Sequence, residues 1–595
     1  MKGEISVKTQ HIFPVIKRWL YSEKDIFIRE IVSNSCDAIT KHKRLVSLSQ
    51  AENDSSDYKI TVKISKDEKT ITVSDNGIGM TKEEVENYIN NIALSGALDF
   101  IEKYESADSK DASGIIGHFG LGFYSAFMVS DTVEILTRSY IALPAVRWSC
   151  DTDGSFEMED GERETRGTDV IMHIAEGEEA YLDGEKISGI LKRYCSFLPY
   201  PVMLDRLDGK EAEQINDTHP LWLKNSSEIK TEDYNEFYKK VFGDYRDPLF
   251  SVQINADYPL NFKGILFFPR PKTNYDSVEP QVKLYYNQVF VADNIKELIP
   301  EYLVNVKGVL DCPELPLNVS RSYLQTNTYV SRVNAHIVKK FADKLNGMYN
   351  TSREELEKIW DDCAPYIRYA CVRDEKFFER VKDILLFKDI DGKYMTIEEY
   401  FDSKEAKGSI YYTSSKDDQA YYIDLLKSKN IKVIVLDSMI DTQMMGFLEQ
   451  KYEGTKFVRV DSDISEVLGT QEEQPDDKLI DIFKKAIGKE NVKVTFCAAP
   501  DSVAPAFLNI SEQSRRFADM MSMYSPDADK NAFPTEETLV VNTACPMIKA
   551  IYVDDEKRSV EIARHVYLLA LLTARKLTAE EIKEIISYDI SRFSE

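Results

Sequence analysis

Near the start of the chain the apolar positions recur at two periods, and the change of period marks a change of element. In Phe27-Ile28-Arg29-Glu30-Ile31-Val32-Ser33-Asn34-Ser35-Cys36-Asp37-Ala38 the spacing is helical, with Phe27, Ile31 and Ala38 flanking one side and Ile28, Val32 and Ile39 serving another. At about 100° per residue, Glu30, Asn34, Asp37 and Lys41 fall on one narrow polar stripe of that helix. Further along, the period shortens to two. Tyr58-Lys59-Ile60-Thr61-Val62-Lys63-Ile64 and Lys69-Thr70-Ile71-Thr72-Val73-Ser74 alternate polar and apolar about Ser65-Lys66-Asp67-Glu68, which predicts a hairpin with one buried face.

Later segments repeat both patterns. Gly264-Ile265-Leu266-Phe267-Phe268-Pro269 and Val282-Lys283-Leu284-Tyr285-Tyr286 read as strands, and Tyr421 to Lys427 reads as a helix feeding a buried strand at Ile431 to Leu436. The end of the chain is strongly helical: Val566 to Leu572 is apolar, and Thr578-Ala579-Glu580-Glu581 is a capping-box pattern that predicts another helix from Ile582. The periodicity of this pair fits folding onto its own domain and fits dimerisation equally.

The polar stripe has a chemistry. A carboxylate followed one turn later by an amide suits a base beside a metal-phosphate complex, because Mg²⁺ prefers oxygen ligands and Asn offers a neutral one. The second hairpin strand runs into Asp75-Asn76-Gly77-Ile78-Gly79-Met80, where two glycines allow close backbone approach to a ligand and Asp75 is an acceptor suited to the exocyclic amine of adenine. Gly114-Ile115-Ile116-Gly117-His118-Phe119-Gly120-Leu121-Gly122-Phe123 then opens a helical Tyr124 to Val129, an arrangement that can aim backbone N–H groups at phosphate. It is not a Walker loop, since no Gly-Lys-Ser/Thr follows, and its spacing is wrong for a Rossmann turn.

Taken in order, Glu-x₃-Asn, Asp-x-Gly-x-Gly, Gly-x₂-Gly-x-Gly and a later Gly167-Thr168-Asp169 resemble the ATP site shared by gyrase, heat-shock-protein-90 chaperones, histidine kinases and MutL proteins. The wording around them, with Phe197-Leu198-Pro199-Tyr200-Pro201-Val202, Pro220-Leu221-Trp222 and Leu315-Pro316-Leu317-Asn318-Val319-Ser320-Arg321, is similar to the heat-shock-protein-90 family over nearly the whole chain. The resemblance implies an α/β (α+β) protein: a two-layer N-terminal ATPase domain at 1–208 with a lid near 90–120, a short linker at 209–219, an α/β middle domain at 220–472 and a mainly helical C-terminal dimerisation domain at 473–595. Polar breaks at Leu207 to Gln214 and at Gln471 to Asp477 set these boundaries, and the near absence of a charged linker resembles bacterial members.

Residue roles follow from the resemblance. Glu30 would orient or deprotonate the water, Asn34 would coordinate Mg²⁺, and Asp37, Ala38 and Lys41 would support ATP from the same helix. Asp75, with Thr168 assisting, would hold adenine beside Gly79 and Met80, and the backbone of Gly117, His118, Phe119, Gly120, Leu121, Gly122 and Phe123 would hold the phosphates. Arg321 would reach the terminal phosphate from the middle domain, supported by Asn318 and Gln325, and a guanidinium is well shaped for that contact. A nucleotide-side Asn falls at Asn90 or Asn91, with Asn91 taken as the match. The lid departs from the family pattern: Ile89-Asn90-Asn91-Ile92-Ala93-Leu94-Ser95-Gly96 lacks a Gly-Thr pair and places Leu94 where a cation is expected, while His118 replaces a common Gln.

Composition narrows the alternatives. The formal net charge of -26 argues against sequence-independent nucleic-acid binding, which needs Lys and Arg on phosphates. The first residues, Met1-Lys2-Gly3-Glu4-Ile5-Ser6, carry no apolar signal core, and no segment approaches ~18 consecutive apolar residues, so a cytoplasmic protein that does not enter membranes is expected. Eight scattered cysteines without metal-ligand spacing read as reduced thiols, with Cys36 in the site helix a packed residue rather than a reactive one. The expected function is an ATP-driven chaperone, a homodimer closing on partly folded client proteins. Ala518-Asp519-Met520-Met521-Ser522-Met523 suits apolar client contacts and also core packing. The chain ends Arg592-Phe593-Ser594-Glu595, without the acidic cochaperone-binding pentapeptide of eukaryotic relatives. A nucleotide-switched holdase is the alternative, and a gyrase or MutL-type DNA-linked ATPase would want Lys at Arg321 and a basic face.

Overall fold

The computed structural model describes residues 23–595 except 54–56, 92–93, 95, 97–98, 101–102, 104–114, 118–119, 272–279, 294–297, 304, 316–327, 404–406, 463–470, 473–476, 490–491, 499–503, 512–515, 517–536, 552–554, 575–576 and 594–595. His118, Phe119, Asn318, Arg321, Gln325, the Met520–Met523 segment and most of the expected lid lie outside the described residues. The chain packs as two compact units, Met1–Phe341 and Ala342–Glu595.

In the first unit, helix α1 (Ile26–Ser47) buries Phe27, Ile28, Ile31, Val32, Cys36 and Ile39, so both apolar flanks read from the sequence face the core. The hairpin forms as β1 (Ile60–Ser65) and β2 (Thr70–Asp75), pairing Ile60 with Asp75 and Ser65 with Thr70. Ile60, Val62, Ile64, Ile71 and Val73 are buried, as period-two alternation requires of a sheet with one covered face. After α2 (Lys82–Tyr88) and a 3₁₀ turn (Gly122–Met128) come β3 (Ser130–Arg138), β4 (Ala145–Asp151), β5 (Phe156–Gly161), β6 (Gly167–Ile174), α3 (Gly184–Tyr194), β7 (Val202–Asp205) and β8 (Glu213–Gln214). Among the described residues these strands form one eight-stranded sheet in the order β5-β4-β3-β6-β2-β1-β7-β8, with α1 packed on β2 and on the 3₁₀ turn. That turn is tighter than the α-helix expected after the glycines.

Beyond helix α4 (Thr231–Phe242), β9 (Phe250–Ala256), β10 (Phe262–Phe268), β11 (Gln281–Tyr286), β12 (Val289–Ala292) and β13 (Lys307–Asp311) form a second sheet in the order β12-β11-β13-β10-β9. Phe197, Trp222, Phe237, Phe267, Tyr285 and Phe290 continue the hydrophobic core of the first sheet into the second without a break. Trp222 stands edge-on to Phe197 at 4.7 Å, so the aromatic seam is closely packed.

In the second unit a parallel three-stranded sheet has Gly408–Thr413 between Val433–Val435 and Thr455–Arg459, with helix Ala420–Ser428 feeding the buried strand as its sequence predicts. The C-terminal helices do not stand alone. Asp477–Ile487 and Glu556–Ala574 share a core with a four-stranded sheet ordered Gln471–Glu472, Val492–Ala498, Glu537–Asn542, Ala506–Ile510. The last helix, Ala579–Phe593, starts ahead of the expected Ile582 because the box closes on Thr578, whose N–H donates to Glu581 at 2.8 Å. Among the described residues no helix is long and apolar enough to cross a membrane.

Candidate functional site

A cavity of about 390 Å³ opens beside α1. It brings together Glu30, Asn34, Asp37, Ala38 and Lys41 from the helix, Asp75, Gly79 and Met80 from the end of β2, Gly117, Gly120, Leu121, Gly122 and Phe123 from the glycine segment, and Thr168 from β6. The polar stripe on α1 is therefore a cavity wall. Glu30 and Asp37 are nearly inaccessible, whereas Asn34 is exposed toward the opening.

The three oxygens of that stripe aim at glycines. Glu30 Oε1 accepts from Arg29 Nε at 3.0 Å and Nη2 at 2.7 Å, a buried ion pair that fixes the carboxylate. Its Oε2 faces Gly122 so closely that a Cβ there would stand 2.8 Å from it. A Cβ on Gly117 would stand 3.1 Å from Asp37 Oδ2 and 3.5 Å from Asn34 Oδ1. A side chain at either glycine would crowd these carboxylates, at Gly122 more than at Gly117. Asp37 holds the segment in place, Oδ1 accepting from Ile116 N–H and Oδ2 from Gly117 N–H, both at 2.7 Å.

At the other end, Asp75 is buried at the last pair of β2 with β6, directly opposite Thr168. Its Oδ1 accepts from Gly77 N–H at 2.8 Å, while burial pushes its pKa up to about 7 against the pull of that bond, Arg163 and Ser35. Gly77 packs on α1, where a Cβ would meet the Ala38 carbonyl carbon at 2.5 Å, and Gly79 takes a left-handed φ of +65°. Thr168 Oγ1 pairs with Thr137 Oγ1 at 2.9 Å, and Thr137 Oγ1 accepts from Met80 N–H at 3.0 Å, tying strand, threonine pair and turn together.

Lys41 is half-buried, its ammonium 5.9 Å from the Phe100 ring centroid, and desolvation lowers its pKa while Asp37, Glu84 and Asp99 oppose the shift. Asn91 is not among the residues lining the cavity: its Nδ2 donates to the carbonyls of Glu86 at 3.1 Å and Asn87 at 3.2 Å, closing the end of α2. Leu94 does reach the cavity, 53% exposed, in the place expected of a cation. The cavity also takes in Ser35, Glu84, Tyr88, Asp99 and Lys103, which the sequence reading missed. Ser35 and Glu84 carried a signal, the first lying on the motif helix and the second closing the Thr81 capping box. Among the described residues no group of three or more His, Cys, Asp or Glu side chains is placed to hold a metal, and Asn34 offers the cavity a neutral side-chain oxygen.

Comparison with known proteins shows the family. Residues 206–583 match the family model described as Hsp90 protein, and residues 22–155 match the one described as histidine kinase-, DNA gyrase B-, and HSP90-like ATPase. The chain is 40% identical over 584 residues to chaperone protein htpG of Bacteroides fragilis, covering 93% of this chain and 85% of that relative. It is 40% identical over 612 residues to chaperone protein HtpG of Porphyromonas gingivalis, covering 98% and 88%. With chaperone protein HtpG of Borrelia garinii the identity is 32% over 534 residues, covering 84% and 86%.

Proposed function

The chain belongs to the heat-shock-protein-90 family, and from that premise we propose that the cavity beside α1 is its ATP site, with Glu30, Asn34, Asp37 and Asp75 dividing the work. Membership and the matched ATPase segment make the protein an ATP-dependent chaperone and an ATPase. The observation that carries the site reading is the facing of Glu30 Oε2, Asn34 Oδ1 and Asp37 Oδ2 toward glycines of one segment.

Asp75 accepts the adenine amine, with Thr168, Gly79, Met80 and Ala38 around the base. The glycine segment, His118 and Phe119 included, meets the phosphates through backbone N–H groups, and Lys41 adds charge nearby. Glu30 holds a water with Oε2 and takes its proton as the water oxygen attacks the terminal phosphorus; the bond from that phosphorus to its bridging oxygen breaks, and ADP leaves. Arg29 keeps Oε1 in place during this step. Asn34 fits Mg²⁺ as a single neutral oxygen ligand, and the ion supplies charge neutralisation to the phosphates when bound. Arg321, supported by Asn318 and Gln325, brings further positive charge, so turnover waits on its arrival.

The same proposal includes the division into 1–208, 220–472 and 473–595 with a lid near 90–120, a cytoplasmic location, and homodimerisation through the C-terminal helices around partly folded clients. Ile582, Ile586 and Ile590 are 46, 53 and 62% exposed along one face of the last helix, an apolar stripe suited to a second copy. The test is ATP hydrolysis by the full chain, measured beside suppression of aggregation of a heat-denatured test protein. Asp75→Asn should abolish hydrolysis and any ATP effect on aggregation. Suppression that responds to ATP while wild type shows no measurable hydrolysis would favour the nucleotide-switched holdase instead.

A further inference from the structure

We propose that Trp148 and Tyr124 are positioning residues of the nucleotide site, pinning Ile89 in the cavity wall and the adjoining Asn90 to the glycine segment so that the segment keeps its place over Glu30. This rests on the ATP-site reading above and adds to it side chains that bear no phosphate, base or metal role.

Ile89 caps the C-terminus of α2 and lines the cavity. Two bonds from other elements hold Ile89 and Asn90. Tyr124 Oη donates to the Ile89 carbonyl at 2.6 Å, and Trp148 Nε1 donates to Asn90 Oδ1 at 2.9 Å. Both donors lead back to the glycines. Tyr124 lies in the 3₁₀ turn that starts at Gly122, and Phe123 between them lines the cavity. The Phe123 ring meets Tyr124 edge-on at 5.5 Å and Trp148 edge-on at 5.8 Å, so the three aromatics form one packed unit.

The energetics favour this being a fixed contact. Trp148 is only 2% exposed, and a buried indole N–H deprived of its acceptor loses more than the bond itself contributes. Burial also pushes the Tyr124 phenol pKa well up, keeping it a neutral donor. The wall can therefore leave the glycine segment only by breaking both bonds. Since a Cβ at Gly122 would lie 2.8 Å from Glu30 Oε2, a small drift of the segment changes the space in which water and phosphate meet that carboxylate.

The test uses the full chain as wild type, Trp148→Phe, Asn90→Ala and the double variant. Phenylalanine keeps a ring against Phe123 and deletes only the N–H, while Asn90→Ala removes the acceptor at a less buried position that tolerates truncation. Each single variant should lower kcat for ATP roughly five- to tenfold, with KM held within about twofold, because geometry rather than contact area is lost. The double variant should match either single one, since all three delete the same bond. ATP should also change the Trp148 emission, read as wild type minus Trp148→Phe, and that change should disappear in Asn90→Ala. Additive losses, a rise in KM at constant kcat, or singles with wild-type kcat would overturn the inference. A wild-type chain that binds no ATP would instead overturn the ATP-site reading beneath it.

Discussion

Adenine binding at Asp75 should be linked to proton release. The carboxyl is buried and its pKa is pushed up to about 7, and the carboxylate accepts a hydrogen bond from an exocyclic amine more strongly than the neutral acid, which keeps a weaker acceptor oxygen. Binding therefore selects the ionised fraction. That fraction is about a half at pH 7 and about a tenth at pH 6, so affinity should fall by up to about tenfold, about 1.4 kcal/mol, between pH 8 and pH 6. Adenosine is the right probe, because it carries no phosphate that titrates in this range. Calorimetry in two buffers of different ionisation enthalpy should find about half a proton released per adenosine bound at pH 7. Asp75→Asn should bind weakly, without pH dependence or proton release. The sign for stability runs the other way. With the folded pKa above the unfolded one, the ligand-free fold is favoured by protonation, and ionised Asp75 costs it up to about 4 kcal/mol above pH 7. Asp75→Asn should therefore melt higher than wild type at pH 8. Affinity that is flat from pH 6 to 8, or proton uptake on binding, would refute the reasoning.

Three further outcomes follow from the same geometry. Gly122→Ala places a methyl 2.8 Å from Glu30 Oε2 and should lower kcat by about tenfold or more while the fold's melting temperature stays close to wild type, read by steady-state hydrolysis and thermal unfolding. Asp311 is raised to about 6 because burial outweighs the Gln288 N–H bond at 3.0 Å, the contacts to Trp222 and Asn287 and the charge of Lys263, so it is ionised at a cost above pH 6; Asp311→Asn should stabilise the chain by up to about 3 kcal/mol at pH 8 and by little at pH 4, measured by urea unfolding at both values. Ile586→Asp on the exposed C-terminal stripe should shift the chain from dimer to monomer in sedimentation while the ATP affinity of the first unit is unchanged.

What the sequence made legible is what local chemistry dictates. The hairpin was readable to a residue or so, because Val62, Ile64, Ile71 and Val73 alternate strictly and the sheet buries one face. The stripe of Glu30, Asn34, Asp37 and Lys41 was readable because helix periodicity alone places it, and its meaning came from the order of the glycine motifs that follow. Arg29 was not readable. A charged residue next to Glu30 along a helix would be expected to diverge from it, and only burial of both makes them a pair. Asp99 and Lys103 were equally hidden, since they reach the cavity by tertiary placement, and Asn91 illustrates the converse: a motif match whose side chain is taken by the end of its own helix. The four-stranded sheet beneath the C-terminal helices escaped notice because the helical periodicity around Val566 dominated that region.

The most direct test of the account is single-turnover hydrolysis of ATP by the full chain and by Glu30→Ala, with ATP affinity measured on both. Affinity should be retained while the hydrolytic step slows by about 10²–10⁴-fold, the range expected when a positioned base is removed. Equal hydrolysis rates at equal affinity would contradict it, and would remove Glu30 from the chemistry of this site.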